Sequence, residues 1–523
     1  MRRSTGLSGP INRGRYPISG IPTSVREAQD LAASVYSAAA TGAVVPTLPW
    51  MSSDRPVFMG FGQSLAQGGV AHPPKTRTAP WSIVAHALGS SVRAAREDNT
   101  WYPFGNIGSP SSGGSETLQT LLATMDIDNP TSGNRYDPDT YTGRTPTSGI
   151  NGEADVIGLV YDFYRRRSLA GTPETKNAIA CVHGFGGMLL EDLIDDDGES
   201  GGTFIPKQRT QSYFTKLGST LGSTTFNLAA ITFDQGQAEM QQTVSSHWSV
   251  YDQTLINLLL FIDTIMSAWG QTNRPPLLIS QPGGGNWAAR NTTQSNAVMQ
   301  FHNEFAINQD RVWLCCPAHA VPQKMTIPAS GLPTAINGHL DGNATRWYGA
   351  YKAKVLAGLR AGNNFEHVHV IGASARNKEI MLSFMLPTPP VATKFAYKGY
   401  RKILTKDLGY SFYDNYGENP VLGVEFFGTH SIIFHTYRDR FGPVVYKSAT
   451  NGYTNVVDSS PEVSNFLYEH GRMDYSTALP PPNDPTDHED EIEADVLENL
   501  GELDGEPYSL VNYSVGENGV ISG

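Results

Sequence analysis

Cysteine is scarce in this chain. Its 523 residues carry 3, at Cys181, Cys315 and Cys316. So few exclude a disulfide framework, and all lie in apolar, strand-like runs where a thiol behaves as a small core side chain. There is no Cys-x-x-Cys pair and no His/Cys cluster at ligand spacing, which argues against a structural zinc site. Long apolar runs are missing as well. No stretch reaches the roughly 18 apolar residues of a membrane-spanning helix, so no membrane insertion is expected. Behind Met1-Arg2-Arg3 no apolar segment follows, and the chain is expected to be made in the cytoplasm without a signal peptide. Basic residues are in the minority, 38 against 50 acidic, giving a net charge of −12. That balance excludes a general nucleic-acid binder. Part of the acid is local, in the run His488-Glu489-Asp490-Glu491-Ile492-Glu493-Ala494-Asp495, which reads as a solvated tail.

Glycine and proline, by contrast, are plentiful at 53 and 34, the mark of a loop-rich globular protein. The length predicts two or three domains. Residues 1–55 are rich in Gly, Pro, Ser and Thr, with one helix-like patch at 24–40, and read as an attachment arm. Strands and helices alternate over residues 56–362, which predicts a parallel sheet with helices on both faces. The expected strands are Val57–Met59, Ala178–Val182, Ala229–Phe233, Leu277–Ser280 and Val312–Cys316. The clearest helices are Trp248–Trp269 and Arg346–Leu359, whose apolar residues recur at helical spacing. A polar stretch at 98–150 is too long for an ordinary connection and reads as an inserted loop near a cleft. Residues 363–470 are β-rich and predict a small β-sandwich. A Pro-rich and acidic tail follows over 471–523. No internal repeat is present.

Chemistry-bearing blocks fall in a fixed order along the α/β region. Gly62-Gln63-Ser64-Leu65 follows the first strand. Gly184-Phe185-Gly186-Gly187 follows the second, ahead of Met188-Leu189-Leu190-Glu191. Asp234-Gln235-Gly236-Gln237-Ala238-Glu239 follows the third. His339-Leu340 comes last, just before Arg346-Trp347-Tyr348-Gly349. In an open parallel sheet the carboxyl ends of the strands gather on one edge, where ligands bind, so distant loops can converge there. A strand that breaks at glycine and presents a serine is one way to expose a nucleophile. Each block also has a plain structural reading. Ser64 can cap a helix, Gly184–Gly187 can be a tight turn, Gln235 a buried amide and His339 an exposed loop histidine. His183 and His319 also follow strands and read as structural, with His319 the reserve candidate for a base.

Taken together, these blocks resemble the SGNH (GDSL-like) hydrolase superfamily, in its sialate O-acetylesterase-like branch as carried on bacteriophage tail fibre and tailspike proteins. The resemblance covers residues 56–362 and implies a flavodoxin-like parallel-sheet hydrolase domain. It implies Ser64 as nucleophile and His339 as its base. The amides of Ser64 and of Gly187 or Gly186, with the Gln235 side chain, would form the oxyanion hole. Donors aimed at a developing oxyanion contribute about 3–4 kcal/mol each. Two positions depart from the family's pattern. Gln237 stands where the family has glutamate, and Ile336 stands where it has the aspartate that orients the histidine. Losing that acid costs roughly 10⁴ in turnover in a serine protease, and Asn337 and Asp341 are the nearby side chains available to replace it. The implied activity is removal of acyl groups from host surface polysaccharide, with no cofactor and no metal. The alternative is a catalytically decayed structural or receptor-binding virion protein. The implied setting is the phage tail, with residues 1–55 and 471–523 docking onto other virion proteins, and a homo-oligomer. Tyr410, Phe412, Tyr413 and Tyr416 are read as packing residues before sugar-stacking ones.

Overall fold

The computed structural model describes residues 53–67, 86–88, 118–120, 154–176, 178–184, 187–195, 206–242, 249–282, 292–317, 323–326, 334–340, 342–362, 369–385, 410–427, 431–448 and 518–521. Residues 1–52 of the N-terminal arm with its 24–40 patch, most of the 98–150 stretch and residues 471–517 lie outside them, while Arg55, the last residue assigned to the arm, already belongs to the first strand.

In chain order the α/β region runs β1 (Arg55–Gly62), α1 (Ser64–Gln67), β2 (His86–Leu88), β3 (Leu118–Thr120), α2 (Asp155–Leu169), β4 (Ile179–Gly184) and α3 (Leu190–Ile194). It continues through α4 (Pro206–Leu221), β5 (Phe226–Asp234), α5 (Gln237–Gln241), α6 (Tyr251–Ser267), β6 (Leu277–Gln281), α7 (Thr292–Asn308) and β7 (Val312–Pro317). A two-stranded hairpin, β8 (Gln323–Thr326) and β9 (Thr334–Leu340), precedes the long helix α8 (Gly342–Arg360).

Seven strands form the main sheet in the order β3-β2-β4-β1-β5-β6-β7. From β2 to β7 every neighbour pair is parallel, and only β3 runs antiparallel at the edge. The five core strands thus follow the flavodoxin-like order 2-1-3-4-5, which requires a change of winding direction beside β1. The expected α/β class is the one found. All five expected strands are present, each slightly longer than its apolar run, because the polar ends still pair. The insert contributes something the sequence did not announce: Leu118–Thr120 pairs with His86–Leu88 at the sheet edge.

Burial follows the pleat. Val57, Met59 and Phe61 point into a core with residues of α4, α6 and α7, while Phe58 joins Val156, Val160, Leu356 and Leu359 from α2 and α8 on the other face. Both faces are covered, so the strands carry continuous apolar runs rather than an alternating pattern. Gly349 lets α8 close on α2. A Cβ there would sit 2.4 Å from the Asp155 carbonyl oxygen and 2.5 Å from the Leu159 nitrogen.

Beyond α8 lie two four-stranded antiparallel sheets, as the β-rich character of the sequence predicts. One contains β10 (His369–Arg376), β11 (Glu379–Met385), β14 (Val421–Phe427) and β15 (Ser431–Thr436). The other contains β12 (Tyr410–Asp414), β13 (Gly417–Glu418), β16 (Val444–Ser448) and β17 (Asn518–Ile521). The strand β17 belongs to the stretch read as a tail, yet it pairs with β16 from Val444↔Ile521 to Lys447↔Asn518. Tyr410 and Phe412 are buried against Phe434, in keeping with packing, whereas Tyr416 is 70% exposed beside Phe441.

Candidate active site

The site is built where the ends of β1 and β5 meet. Gly62 has φ +137°, and a Cβ there would lie 2.2 Å from the Asp234 carbonyl oxygen, so only glycine fits. That same carbonyl accepts the Gln63 N–H at 3.1 Å. The chain therefore leaves the sheet in one abrupt step, and Ser64 opens α1 partly exposed while Gln63, Leu65 and Ala66 are buried. Gln63 is held from its side chain too, donating to Gln237 Oε1. The amide at position 237 thus serves as an acceptor that fixes the residue beside Ser64.

Gly187 comes to the surface at the end of the β4 loop with φ +78° and open space where a Cβ would be. Gly186 lies outside the described residues. The segment just beyond is clamped: Glu239 accepts the Leu190 N–H at 2.6 Å, and the Gln235 amide donates to the Met188 carbonyl at 2.8 Å and to the Glu239 carboxylate at 3.1 and 3.2 Å. Both Gln235 amide hydrogens are therefore engaged within a fully buried setting, and its task here is to hold the loop behind Gly187. Burial pushes the Glu239 carboxyl up to about 7, against the opposing pull of its hydrogen bonds to Leu190 and Gln235.

His339 is the next-to-last residue of β9, a strand, where the sequence allowed an exposed loop. The short helix carrying Ser64 lies against β9, and α8 follows at once. The nucleophile and base candidates thus belong to adjoining elements, beside the ends of β4 and β5. Ile336 and Asn337 share β9 with His339, whereas Asp341 and His319 lie outside the described residues. His183 is fully buried with Tyr213 edge-on at 4.8 Å and Phe214 stacked at 6.0 Å. Burial lowers its pKa to about 3, so it is a neutral core side chain and not a base.

Beneath the switch point sits a buried ionic cluster. Lys352 Nζ donates to Asp155 and to both oxygens of Asp234 at 2.9 and 3.0 Å, and Thr232 Oγ1 donates to Asp155 at 3.1 Å. Burial and the neighbouring Asp155 raise the Asp234 carboxyl to about 7, against Lys352. Burial alone would lower the lysine's pKa, but the two carboxylates outweigh it and keep the ammonium charged. Cys181 and Cys315 are buried thiols outside any disulfide, with pKa values raised by burial. Among the described residues no three His, Cys, Asp or Glu side chains are grouped to hold a metal, and no helix is long and apolar enough to cross a membrane.

Sequence reasoning missed Glu239 and Lys352 as site residues. The first had a signal, because Gln235 and Glu239 stand four apart, the spacing at which side chains meet across a helical turn. The second was visible only as one of two lysines, Lys352 and Lys354, in the helix that follows His339, with no hint of its partners.

With a serine presented at the switch point, the comparison with solved structures can be read. The chain is distantly similar in structure to several solved proteins, esterases among them. A carbohydrate acetylesterase from Xanthomonas citri matches at 12% identity over 77% of each chain, with a TM-score of 0.41. NanS matches at 12% identity over 60% of this chain and 100% of its own, with a TM-score of 0.34. An aryl esterase of M. smegmatis matches at 12% identity over 58% of this chain and 99% of its own, with a TM-score of 0.27. No protein-family model and no curated protein matches. Likenesses this distant carry no functional argument, and the switch-point geometry must do so.

Proposed function

We propose that this chain is a serine esterase that removes acyl groups from a polysaccharide, with Ser64 as nucleophile and His339 as base. The observation carrying the reading is the placement of Ser64. The residue opens a sharp turn at the β1/β5 switch point, on a helix that lies against the strand bearing His339. In the reaction, Ser64 Oγ attacks the ester carbonyl as His339 takes its proton, and the alcohol leaves with a proton returned from the ring. Water then attacks the acyl-serine by the same base and restores the free hydroxyl. Backbone N–H groups of Ser64 and the Gly186-Gly187 segment would face the developing oxyanion. Gln235 and Glu239 fix that segment from behind, which replaces the direct donor role the resemblance implied for Gln235. Asn337 or Asp341 would orient the ring in place of an acid at Ile336.

The host-surface setting is part of the same proposal: a phage-tail protein acting on a bacterial polysaccharide, docked through residues 1–55 and 471–523 and assembled as a homo-oligomer. The low-complexity arm supports that setting. The test is acetate release from O-acetylated bacterial glycan. Ser64→Ala and His339→Ala should each abolish turnover with the fold intact by circular dichroism. Equal release by the native chain and Ser64→Ala ends the reading.

A second reading is favoured by Gln237, whose side chain is buried and serves to hold Gln63. On that reading the cleft is a decayed scaffold that binds glycan without turnover, and calorimetry would show binding by the native chain where no acetate appears.

A further inference from the structure

We propose that the Lys352–Asp155–Asp234 cluster is a positioning device that sets the nucleophile and base segments relative to one another, an inference that rests on the esterase reading of Ser64 and His339. Three elements meet at it. Asp234 is the last residue of β5, Asp155 the first of α2, and Lys352 lies in α8, the helix that begins just after the His339-Leu340-Asp341 segment. Asp234 works in two directions. Its carboxylate takes Lys352 from the helix following the base, and its backbone carbonyl takes the N–H of Gln63, the neighbour of Ser64. One residue thereby links the frame of both reacting side chains.

The chemistry of the cluster suits registration better than cohesion. All three side chains are at most 1% exposed, and removing charges from water at that depth largely cancels their mutual attraction. Buried ionic triads can often be replaced by apolar groups without loss of stability. What apolar packing does not reproduce is direction. Lys352 must aim at two carboxylates at once, Asp155 is further tied by Thr232, and the Tyr348 ring lies 4.7 Å from the ammonium on the same helix. Sliding α8 along α2 would break these contacts together, whereas apolar side chains there would tolerate the shift. Close passage at Gly349, one residue beyond Tyr348, leaves α8 near enough for small slips to reach the base.

The experiment uses the full chain, p-nitrophenyl acetate as substrate and a fluorophosphonate probe that labels an activated serine. The variants are Lys352→Met and the apolar triple Lys352→Met/Asp155→Leu/Asp234→Leu. Both are expected to lower kcat about 10- to 100-fold, the scale of a displacement near one ångström, while labelling of Ser64 slows in proportion. KM should stay within about twofold, since binding contacts are untouched. A folded triple variant with native kcat and labelling rate overturns the proposal and leaves the esterase reading standing. Failure of both variants to fold overturns it too, because the cluster would then be a requirement of the fold. A native chain without hydrolysis that depends on Ser64 overturns the esterase reading and this inference together.

Discussion

Glu239 is a carboxyl whose burial raises its pKa toward neutrality, and this gives it a thermodynamic signature. Its pKa rises from 4.5 to about 7 on folding, so the folded chain binds its proton more tightly than the unfolded chain does. The resulting stabilisation is complete below pH 4.5 and is lost as pH rises through about 7. Glu239→Gln, which keeps the size and an acceptor for Leu190, lacks that dependence. The difference in melting temperature, native minus variant, should therefore fall as pH is raised from about 4.5 to 7 and level off above. A flat difference would show that Glu239 is ionised throughout. Individual residues were unevenly legible. Gly62 and Ser64 could be read from a glycine break behind an apolar run, since that chemistry is local. Asp155 and Lys352 could not, because their partners are 77 to 197 residues away and only the folded sheet brings them together; for Glu239 the spacing to Gln235 was legible, but not its bond to Leu190, 49 residues away.

Among the elements, α2 and α8 cross in close contact, and Gly349 sets the approach. Gly349→Ala places a methyl group against two backbone atoms of α2 that have no room to yield. The helices must separate, and the expected cost is about 1–3 kcal/mol, read as a lower urea midpoint at unchanged slope. Because α8 follows the base, kcat should fall as well. The glycine was legible as part of the Arg-Trp-x-Gly block, but its reason was not, since a close approach between helices leaves no trace in either helix's own periodicity. The strands of the central sheet were readable for the opposite reason. Burial on both faces demands unbroken apolar runs such as Ala229–Phe233, and few other structures do. The short strands β2, β3, β8 and β9 lack such runs, so the sequence left a loop open for His339, which belongs to a hairpin strand.

At the scale of the molecule, the parallel sheet with antiparallel sheets behind it was foreseen from the change of character near residue 363. The winding reversal that locates the cleft was expected only through resemblance, because strand order depends on pairing and not on composition. The far end of the chain departed most from expectation. Asn518–Ile521 lies behind a Pro-rich, acidic stretch, yet Ile521 is 5% exposed and the strand completes the ladder of β16. Deleting residues 518–523 leaves β16 with an open edge and uncovers the side of Val444 and Tyr446. The expected result is a melting temperature lower by a few degrees, with concentration-dependent association in light scattering.

The same arrangement makes the C-terminal region divisible. Backbone pairing with β16 and the burial of Ile521 hold Asn518–Ile521 in place, so a fragment carrying that strand is expected to stay bound after a nick between the two strands. A synthetic peptide of that sequence, offered to the shortened protein, becomes a candidate for reconstitution, and any cargo attached to it would be delivered to the edge of the outer sheet.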